Sequence, residues 1–370
     1  MTIPIENYTN KRVIVGLSGG VDSAVAALLL KQQGADVQAL HMTNWNDEDG
    51  YCNAADDLQD AKKVCKILSI PLHHVNFSEE YAKLVFKDFL HEYKNGRTPN
   101  PDILCNREIK FGVFKKYAER LGAEFIATGH YAKLKKDKQS TELIKPKDKN
   151  KDQTYFLHAV KEDALKDTLF PLCDLTKHEV RDMAKMNGLL NHDKKDSTGI
   201  CFIGERPFRE FLEKYLPAQP GPMNDINGNL IGKHQGLMYY TIGQRQGLNI
   251  GGLKDSNNKP WYVLNKDLTS NTLTVVQGDH KDLYARSLIV SNFSWIGAAE
   301  ELILSDKIIN CHGKIRYRQP DQACQAELTE EGKIKIIFNE PQRAITEGQA
   351  AVLYKDDRCL GGGSIDEVIK

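Results

Sequence analysis

The sequence lacks the features of a membrane protein or of a metal–thiolate protein. It contains no run approaching the roughly 18 consecutive apolar residues that a membrane-spanning helix requires. Its N-terminus, Met1–Lys11, is polar and contains no apolar signal core. The eight cysteines form no Cys-x-x-Cys pair, which argues against a zinc or iron–sulfur site. We therefore expect a cytoplasmic protein with free thiols and no membrane partner.

A net charge is also missing, because 50 basic residues balance 50 acidic ones. The whole molecule therefore exerts no long-range attraction on a polyanion, and any nucleic-acid surface must be a local patch. The length of 370 residues suits two or three domains with substantial cores.

The first part of the chain alternates between strand and helix patterns, which predicts an α/β fold with a doubly wound, mostly parallel sheet. Strand-like runs occupy 12–17, 36–42, 72–77 and 124–129, and helical patterns occupy 22–33, 54–68, 79–93 and 106–121, with Ser78 as an N-cap. Ligands of such sheets bind at the carboxyl ends of the strands.

The remainder predicts two smaller units that are rich in β-structure. Gly and Asn become frequent after Pro207, which indicates a small, mostly β central domain. Short alternating runs at 314–318, 324–328, 333–338 and 350–354 indicate a C-terminal β-barrel. We predict domains at 1–206, 207–280 and 281–370.

The most informative motif follows the first strand and has the form expected of a phosphate cradle. It consists of Gly16, Leu17, Ser18, Gly19, Gly20, Val21, Asp22 and Ser23. Backbone N–H groups of a glycine turn and the start of a helix both favour an anion. No Gly-Lys-Ser/Thr closes the loop, so it is not a Walker A loop. The backbone, two serines and a metal ion must then neutralise the phosphate, while Asp22 either caps the helix or holds Mg²⁺.

A polar segment at 133–151 is dense in lysine and interrupts the alternation. It is either a solvated flexible loop or a contact for a phosphate backbone. The sequence 150–156 that closes it combines Lys, Asp and Gln, which can contact phosphates and base edges. Tyr155 and Phe156 begin a helical apolar pattern, and we expect them in the core rather than as stacking platforms.

Two of the cysteines have unusual surroundings. Cys105 follows the stiff Pro-Asn-Pro-Asp turn and precedes the helix predicted from Asn106, whose dipole would favour a thiolate. Asp102, in that turn, is placed to act as an acid or a base. Cys201 lies between two glycines with Lys194 and Lys195 nearby, which would lower its pKa. We expect the other six cysteines to be structural.

These motifs, in this order, resemble the bacterial tRNA-specific 2-thiouridylases of the PP-loop ATP pyrophosphatase superfamily, which have an adenine nucleotide alpha hydrolase-like fold. The resemblance continues through Gly236–Tyr240, Gly243–Arg245, Pro260–Tyr262, Arg316–Arg318 and Leu360–Gly363, and so covers nearly the whole chain. It implies an enzyme that uses ATP and Mg²⁺ to replace the C2 oxygen of the wobble uridine with sulfur in tRNAs for Lys, Glu and Gln.

The resemblance also assigns residues to roles. Gly16–Ser23 would bind the ATP phosphates, and Met42 and Gly129 would lie near the adenosine. Cys201 would carry a persulfide, Cys105 would be its catalytic partner through a transient disulfide, and Asp102 is our candidate acid or base. The implied tRNA contacts are Asn100, Pro101, Asp102, His130, Lys151, Asp152, Gln153, Arg316, Tyr317 and Gln349. The sulfur would come from a cysteine desulfurase or from a persulfide carrier protein.

Two other classes remain open from the residues alone. In a PP-loop amidotransferase or ligase, an amine would attack the adenylate, and neither cysteine would be needed. In an RNA-binding protein with a relic nucleotide fold, no pyrophosphate would form. Sulfur could arrive either as the persulfide itself or as hydrosulfide that Cys105 frees from it.

Overall fold

The computed structural model describes residues 8–45, 54–137, 140–195, 202–203, 206–250 and 259–370. The first seven strands are β1 (Arg12–Gly16), β2 (Asp36–Thr43), β3 (Leu72–Asn76), β4 (Phe125–Ala127), β5 (Lys133–Lys136), β6 (Thr141–Ile144) and β7 (Thr168–Leu169). Five of them form a sheet in the order β3-β2-β1-β4-β7, in which all four pairings are parallel. The predicted α/β fold with a parallel sheet is confirmed.

Helices cover both faces of this sheet. They are α1 (Val21–Gln32), α2 (Ala54–Leu68), α3 (Ser78–Tyr81, Ala82–Phe86 and Lys87–Lys94), α4 (Pro101–Leu104, Cys105–Val113 and Phe114–Arg120), α5 (Thr154–Leu157), α6 (Glu162–Lys166) and α7 (Lys177–Met186). Ile14 of β1 packs on one side with the aromatic residues of α3 and α4, while Val13 and Val15 face α1 on the other. The strand is apolar throughout because both of its faces are buried.

The helix that carries Cys105 begins earlier than predicted. It starts at Pro101 and runs without a break to Arg120, with a π-helical segment at Cys105–Val113. Asn100 is its N-cap, since the Asn100 side chain accepts a hydrogen bond from the Asp102 N–H at 3.2 Å. Proline at the first helical position completes this start signal.

The N-cap predicted at Ser78 is wrong. Phe77 occupies the cap position of α3 and offers no capping side chain, and Ser78 is the first residue of the helix. Asn76 accepts a hydrogen bond from the Ser78 N–H at 2.9 Å instead. The asparagine therefore satisfies a free donor of the first turn, which is the task expected of the serine.

The central domain contains the short helix α8 (Phe208–Glu213) and a four-stranded sheet in the order β10-β11-β8-β9. Its strands are β8 (Gly221–Asn224), β9 (Leu230–His234), β10 (Trp261–Asp267) and β11 (Thr272–Gln277), with a 3₁₀ turn at Leu237–Tyr239. The prediction of a small β-rich unit here is confirmed.

A barrel forms the C-terminal part. Its strands are β12 (Tyr284–Trp295), β13 (Ile308–Lys314), β14 (Gln322–Leu328), β15 (Ile334–Arg343), β16 (Ala350–Lys355) and β17 (Arg358–Ile369), with a 3₁₀ turn at Lys281–Leu283 and helix α9 at Ala299–Asp306. These six strands are ordered β12-β15-β14-β13-β16-β17, and β12 pairs again with β17 to close the sheet. The strand predicted at 314–318 is wrong, because β13 ends at Lys314 and a turn follows.

Over its described residues the lysine-rich segment is not an irregular loop, and its contact with a phosphate backbone stays a prediction. It contains the β5–β6 hairpin, and β6 pairs with β17, so the first domain adds two strands to the barrel sheet. Five of its lysines form ion pairs: Lys133 with Asp174, Lys135 with Glu142, Lys145 with Asp321, Lys147 with Glu179 and Lys149 with Asp357. Its charges are largely used in joining parts of the protein.

Candidate functional site at the carboxyl ends of the parallel strands

The strand order reverses between β1 and β4, and the predicted loop lies in the crevice at that point. The chain leaves β1 at Gly16, turns through Gly19 at φ +80° and enters α1 at Val21. A Cβ at Gly19 would lie 2.5 Å from the Asp57 carbonyl oxygen, so this position requires glycine. The turn delivers the first N–H groups of α1 to the crevice, as an anion site requires.

The two serines of the loop hold it in shape. The Ser18 N–H donates to Ser23 Oγ at 3.2 Å, and the two hydroxyl oxygens are also 3.2 Å apart. Ser23 Oγ donates in turn to the Gly20 carbonyl oxygen at 3.1 Å. No side chain caps α1, whose N-cap is Gly20, so the first-turn donors gain no partner from a capping residue.

Asp22 does not cap the helix, which corrects one of the two roles expected for it. Both of its carboxylate oxygens lie 2.7 Å from the Lys177 Nζ, and the Tyr131 hydroxyl donates to one of them at 2.9 Å. Lys177 is the first residue of α7, where a Thr176–Glu179 capping box fixes the helix start. A lysine from a distant helix thus neutralises the carboxylate of the loop.

Asn191, like Lys177, contacts the loop after β1 although its local sequence pattern did not predict this. It is buried, and its side-chain amide donates to the Gly19 carbonyl oxygen at 3.1 Å, while its own Oδ1 has no hydrogen-bond partner among the described residues. A buried acceptor without a partner at the edge of the cradle is unusual, because such groups normally form hydrogen bonds. It fits a site that is completed by a ligand.

The residues predicted to lie near the adenosine come to the same crevice. Met42 lies near the end of β2, beside β1, and is half-buried. Gly129 follows β4, and a Cβ there would lie 2.6 Å from the Ser23 backbone nitrogen. Only glycine allows this close approach of the β4 turn to the first turn of α1.

Helix α4, which carries Cys105 and Asp102, packs against the residues at this crevice. Phe114 of α4 packs against Gly16, where an added Cβ would lie 3.3 Å from the ring, and Phe111 packs on His130 with ring centroids 5.9 Å apart. Asp102 and Cys105 are three residues apart in the same helix and therefore share a face. Cys105 is buried and lies within the helix rather than ahead of its start, so its predicted position is wrong.

Burial shifts the pKa values of Asp102 and of His130, which packs against helix α4. Burial raises the pKa of Asp102, and the Lys110 charge acts in the opposite direction. Burial lowers the pKa of His130 well below its usual range, and Lys110 adds to this effect. The Asp102 carboxyl therefore loses its proton at a higher pH than an exposed aspartate does. The His130 ring is neutral at neutral pH.

Cys201 lies outside the described residues, so its predicted meeting with Cys105 stays a prediction. Of the two lysines expected to lower its pKa, Lys194 forms ion pairs with Asp57 at 2.8 Å and Asp60 at 2.7 Å. The charge of this lysine is therefore balanced by two carboxylates. Cys65, Cys311, Cys324 and Cys359 are buried, as structural cysteines should be.

Three of the predicted tRNA contacts that follow β4 or the β5–β6 hairpin form hydrogen bonds within the protein. Asp152 is buried, accepts a hydrogen bond from the Thr154 hydroxyl at 2.7 Å and lies 3.4 Å from the Lys314 Nζ. Gln153 accepts a hydrogen bond from the Tyr131 N–H at 2.8 Å, and His130 is buried with its Nδ1 2.8 Å from the Thr128 hydroxyl. These groups order the strand ends, and their contact with tRNA stays a prediction, as does that of Lys151.

The other predicted tRNA contacts lie on the barrel side. Tyr317 packs on Phe156 with ring centroids 4.4 Å apart, Arg316 is exposed, and Gln349 donates to the Thr98 carbonyl oxygen at 2.8 Å. Tyr155 is buried in the core, as predicted. Gln349 therefore ties the barrel to the segment that leads into Asn100 and Pro101.

Comparisons with known proteins agree with this arrangement. A family model described as a tRNA methyl transferase HUP domain matches residues 11–205, a tRNA methyl transferase PRC-barrel domain matches 209–277, and an aminomethyltransferase beta-barrel domain matches 285–365. The parallel sheet, the glycine turn that enters α1 and the attached barrel therefore define a HUP-domain enzyme of the PP-loop type.

Curated relatives narrow the class to one family. The tRNA-specific 2-thiouridylase MnmA of Dichelobacter nodosus is 53% identical over 367 residues, covering 98% of this chain and 96% of that protein. The protein of the same name from Francisella tularensis subsp. novicida is 54% identical over 360 residues, covering 96% and 99%. The chain belongs to the family of tRNA-specific 2-thiouridylases, which are tRNA sulfurtransferases, and the resemblance of its motifs is confirmed.

More distant likenesses occur among solved structures. A 4-thiouridine synthetase–RNA complex with bound ATP shares 20% identity, covering 56% of this chain and 50% of that chain, with a TM-score of 0.37. The U34-tRNA thiolase NcsA from Methanococcus maripaludis shares 21% identity, covering 58% and 70%, with a TM-score of 0.36. No helix of the described residues is long and apolar enough to cross a membrane.

Proposed function

We propose that this protein uses ATP to adenylylate the C2 oxygen of the wobble uridine in tRNAs for Lys, Glu and Gln, and then replaces that oxygen with sulfur. One observation carries the proposal: the helix that bears Asp102 and Cys105 packs, through Phe114, on Gly16 at the start of the phosphate cradle. A base presented to Asn100–Asp102 would thus face both a thiol and a bound nucleotide.

In the first step the uridine O2 attacks the α-phosphorus of ATP. An O–P bond forms, and the bond between the α-phosphorus and the bridging oxygen to the β-phosphorus breaks, so pyrophosphate leaves. The N–H groups of the loop and the Lys177 ammonium are the groups of this chain that would stabilise its charge. Magnesium bound with ATP would supply further charge neutralisation, and the Asp22 oxygens are of the type that suits it.

In the second step the terminal sulfur of a Cys201 persulfide attacks C2, and a C–S bond forms. The Cys105 thiolate then attacks the Cys201 sulfur, which breaks the persulfide bond and forms a disulfide between the two cysteines. The electron pair left on the transferred sulfur forms C=S and expels AMP with the original oxygen. Asp102 would accept the Cys105 proton, a role that its raised pKa suits. An external thiol must reduce the disulfide before the next cycle.

In the alternative order, Cys105 frees hydrosulfide from the persulfide before the attack on C2. Both routes require both cysteines. Only in the first route is the transferred sulfur bonded to C2 and to the Cys201 sulfur at the same time. Rapid acid quenching followed by mass spectrometry of the protein distinguishes them, because only the first route gives a tRNA–protein adduct.

The experiment for the overall function incubates purified protein with ATP, magnesium, tRNA, a cysteine desulfurase and cysteine, and measures 2-thiouridine by mass spectrometry. We expect no product from Cys105→Ser or Cys201→Ser, and normal product from Cys173→Ser, a matched half-buried control. Thiolation by the double variant Cys105→Ser/Cys201→Ser would contradict the proposal, and release of AMP by that variant without thiolation would favour attack by an amine.

A further inference from the structure

Tyr131 connects the phosphate cradle to the turn at 148–153. It is buried in the core that β1, α1 and α7 share, and its hydroxyl donates to Asp22 Oδ1 at 2.9 Å. Its backbone forms two hydrogen bonds with Gln153. The Tyr131 N–H donates to Gln153 Oε1 at 2.8 Å, and the Gln153 N–H donates to the Tyr131 carbonyl oxygen at 3.0 Å. One residue is therefore bonded to the cradle through its side chain and to the turn through its backbone.

The other end of the same turn holds Lys177. The Lys177 N–H donates to Asp148 Oδ2 at 2.9 Å, and the Asn150 N–H donates to Asp148 Oδ1 at 3.1 Å. The turn is closed by a hydrogen bond from the Lys151 N–H to the Asp148 carbonyl oxygen at 3.1 Å. Tyr131 and Lys177, which both hydrogen-bond to Asp22, are thus fixed by opposite ends of one turn.

The backbone beside Tyr131 also packs directly on Asp22. A Cβ at Gly129 would lie 2.8 Å from the Asp22 carbonyl carbon and 3.0 Å from the Asp22 Cβ. Val21 and Ala24 of the first turn of α1 belong to the same buried core as Tyr131. Close-packed interiors transmit displacements, so a shift of the turn at 148–153 must be passed to Asp22.

The outer side of the turn faces solvent. Lys149 and Asn150 are exposed, and Lys151 is half-buried. The residues at 151–153 are those expected to contact tRNA, whereas the loop at 16–23 is the expected phosphate site. The turn therefore has one side open to a ligand and two ends bonded to the partners of Asp22.

We propose that Tyr131 is a positioning residue that couples this turn to the Asp22–Lys177 pair, so that tRNA on the turn and ATP in the cradle each strengthen the binding of the other. The inference rests on the proposed function, because it takes 151–153 as a tRNA contact and 16–23 as the ATP site. Both ligands favour the arrangement in which Asp22 is held between Tyr131 and Lys177. Coupling of this kind is reciprocal and is typically about 5–150-fold in affinity.

The test measures binding with an ATP analogue that cannot react. The analogue is α,β-methylene-ATP with magnesium, in which a CH₂ group replaces the bridging oxygen, and the RNA is unmodified tRNA for Lys. Tyr131→Phe removes only the hydroxyl. Tyr284→Phe is its matched control, because the Tyr284 hydroxyl also donates to a carboxylate, that of Asp279 in the barrel part of the chain, at 2.9 Å. Equilibrium dialysis gives the Kd of each ligand with and without a saturating amount of the other.

For the unchanged protein and for Tyr284→Phe, we expect tRNA to tighten binding of the analogue about tenfold, and the analogue to tighten binding of tRNA by the same factor. Tyr131→Phe should bind each ligand alone almost as well as the unchanged protein does and should lose most of this factor in both directions. An undiminished factor in Tyr131→Phe, or no coupling in the unchanged protein, would overturn the inference. Weakened binding of each ligand alone, with the factor retained, would show a merely structural role and would also overturn it.

A second variant tests the other end of the turn and does not alter Tyr131. Asp148→Ala removes the acceptor of the Lys177 N–H and should also reduce the coupling factor, while Asp163→Ala, at an almost fully exposed side chain, should not. Equal factors in these two variants would overturn the role given to the turn. Coupling in a protein that forms no 2-thiouridine would contradict the proposed function alone, and normal thiolation without coupling would contradict this inference alone.

Discussion

The ammonium group of Lys177 lies 2.7 Å from each carboxylate oxygen of Asp22, at the edge of the phosphate cradle. The pair brings together the loop after β1 and the start of α7, which are 155 residues apart in sequence. It places a positive charge beside a loop whose own sequence contains no lysine. The first prediction follows from this pair.

Replacing Lys177 by methionine should reduce tRNA-dependent pyrophosphate release by about 10²-fold, because the cation that we propose stabilises the departing pyrophosphate is lost. The assay is release of labelled pyrophosphate at saturating tRNA. Lys185→Met, at an exposed position of the same helix, serves as the control and should retain full activity. Equal rates for the two variants would show that Lys177 serves only to neutralise Asp22.

Replacing Asp102 by asparagine should lower the single-turnover rate of thiolation by roughly 10²–10⁴-fold, the usual contribution of an acid–base group. Because burial raises the pKa of Asp102, the ascending limb of the pH–rate profile should lie above the ordinary aspartate value of about 3.9. That limb should disappear in Asp102→Asn. Asp163→Asn, whose carboxylate is almost fully exposed, should leave the profile unchanged.

An alanine at Gly129 should impair ATP binding. Its Cβ would lie 2.6 Å from the Ser23 nitrogen, so the first turn of α1 must shift and distort the cradle. We expect a loss of about 1–3 kcal/mol in the free energy of unfolding, as for other overpacked sites. Equilibrium dialysis with ATP and urea denaturation measure the two effects. Gly232→Ala, where a Cβ meets open space, should show neither.

The capping box of α7 predicts a pH dependence of stability. The Glu179 carboxylate accepts hydrogen bonds from the Thr176 backbone N–H, from Lys147 and from the Thr176 hydroxyl, in decreasing order of effect. These hydrogen bonds lower the pKa of Glu179 to about 2. The folded pKa lies below the unfolded one, so the stabilisation is complete above about pH 4.5 and is lost as the pH falls toward 2.

Glu179→Gln should therefore show a shallower loss of unfolding free energy between these two pH values than the unchanged protein, measured by urea denaturation. Glu210→Gln, at an exposed position of α8, should keep the original slope. Parallel slopes for all three proteins would contradict the proposed contribution of the capping box.

The sequence predicted the features that depend on local patterns. The bounds of α2 were predicted at Ala54–Leu68 as found, and the parallel sheet followed from alternation between two periodicities. The start of α4 was missed although Asn100 followed by Pro101 is a start signal, because the two prolines were interpreted as a rigid loop. Local patterns were not sufficient everywhere, since the N-cap at Ser78 and the strand at 314–318 were predicted from them and are wrong.

Long-range contacts could not be predicted in this way. The ion pair between Lys177 and Asp22, the hydrogen bond from Asn191 to Gly19 and the pairing of the β5–β6 hairpin with β17 join distant segments. A lysine that neutralises a distant carboxylate has the same local pattern as a solvated one. The capping box around Lys177 marks a helix start, but it does not indicate which loop that helix faces.

The central claim is that the C2 oxygen of uridine leaves on AMP, and an isotope label tests it most directly. A tRNA anticodon stem-loop carrying oxygen-18 at C2 of the target uridine is thiolated in a single turnover, and the AMP is examined by mass spectrometry. Our account predicts one labelled oxygen in AMP for every 2-thiouridine formed. Unlabelled AMP alongside labelled water or phosphate would contradict it.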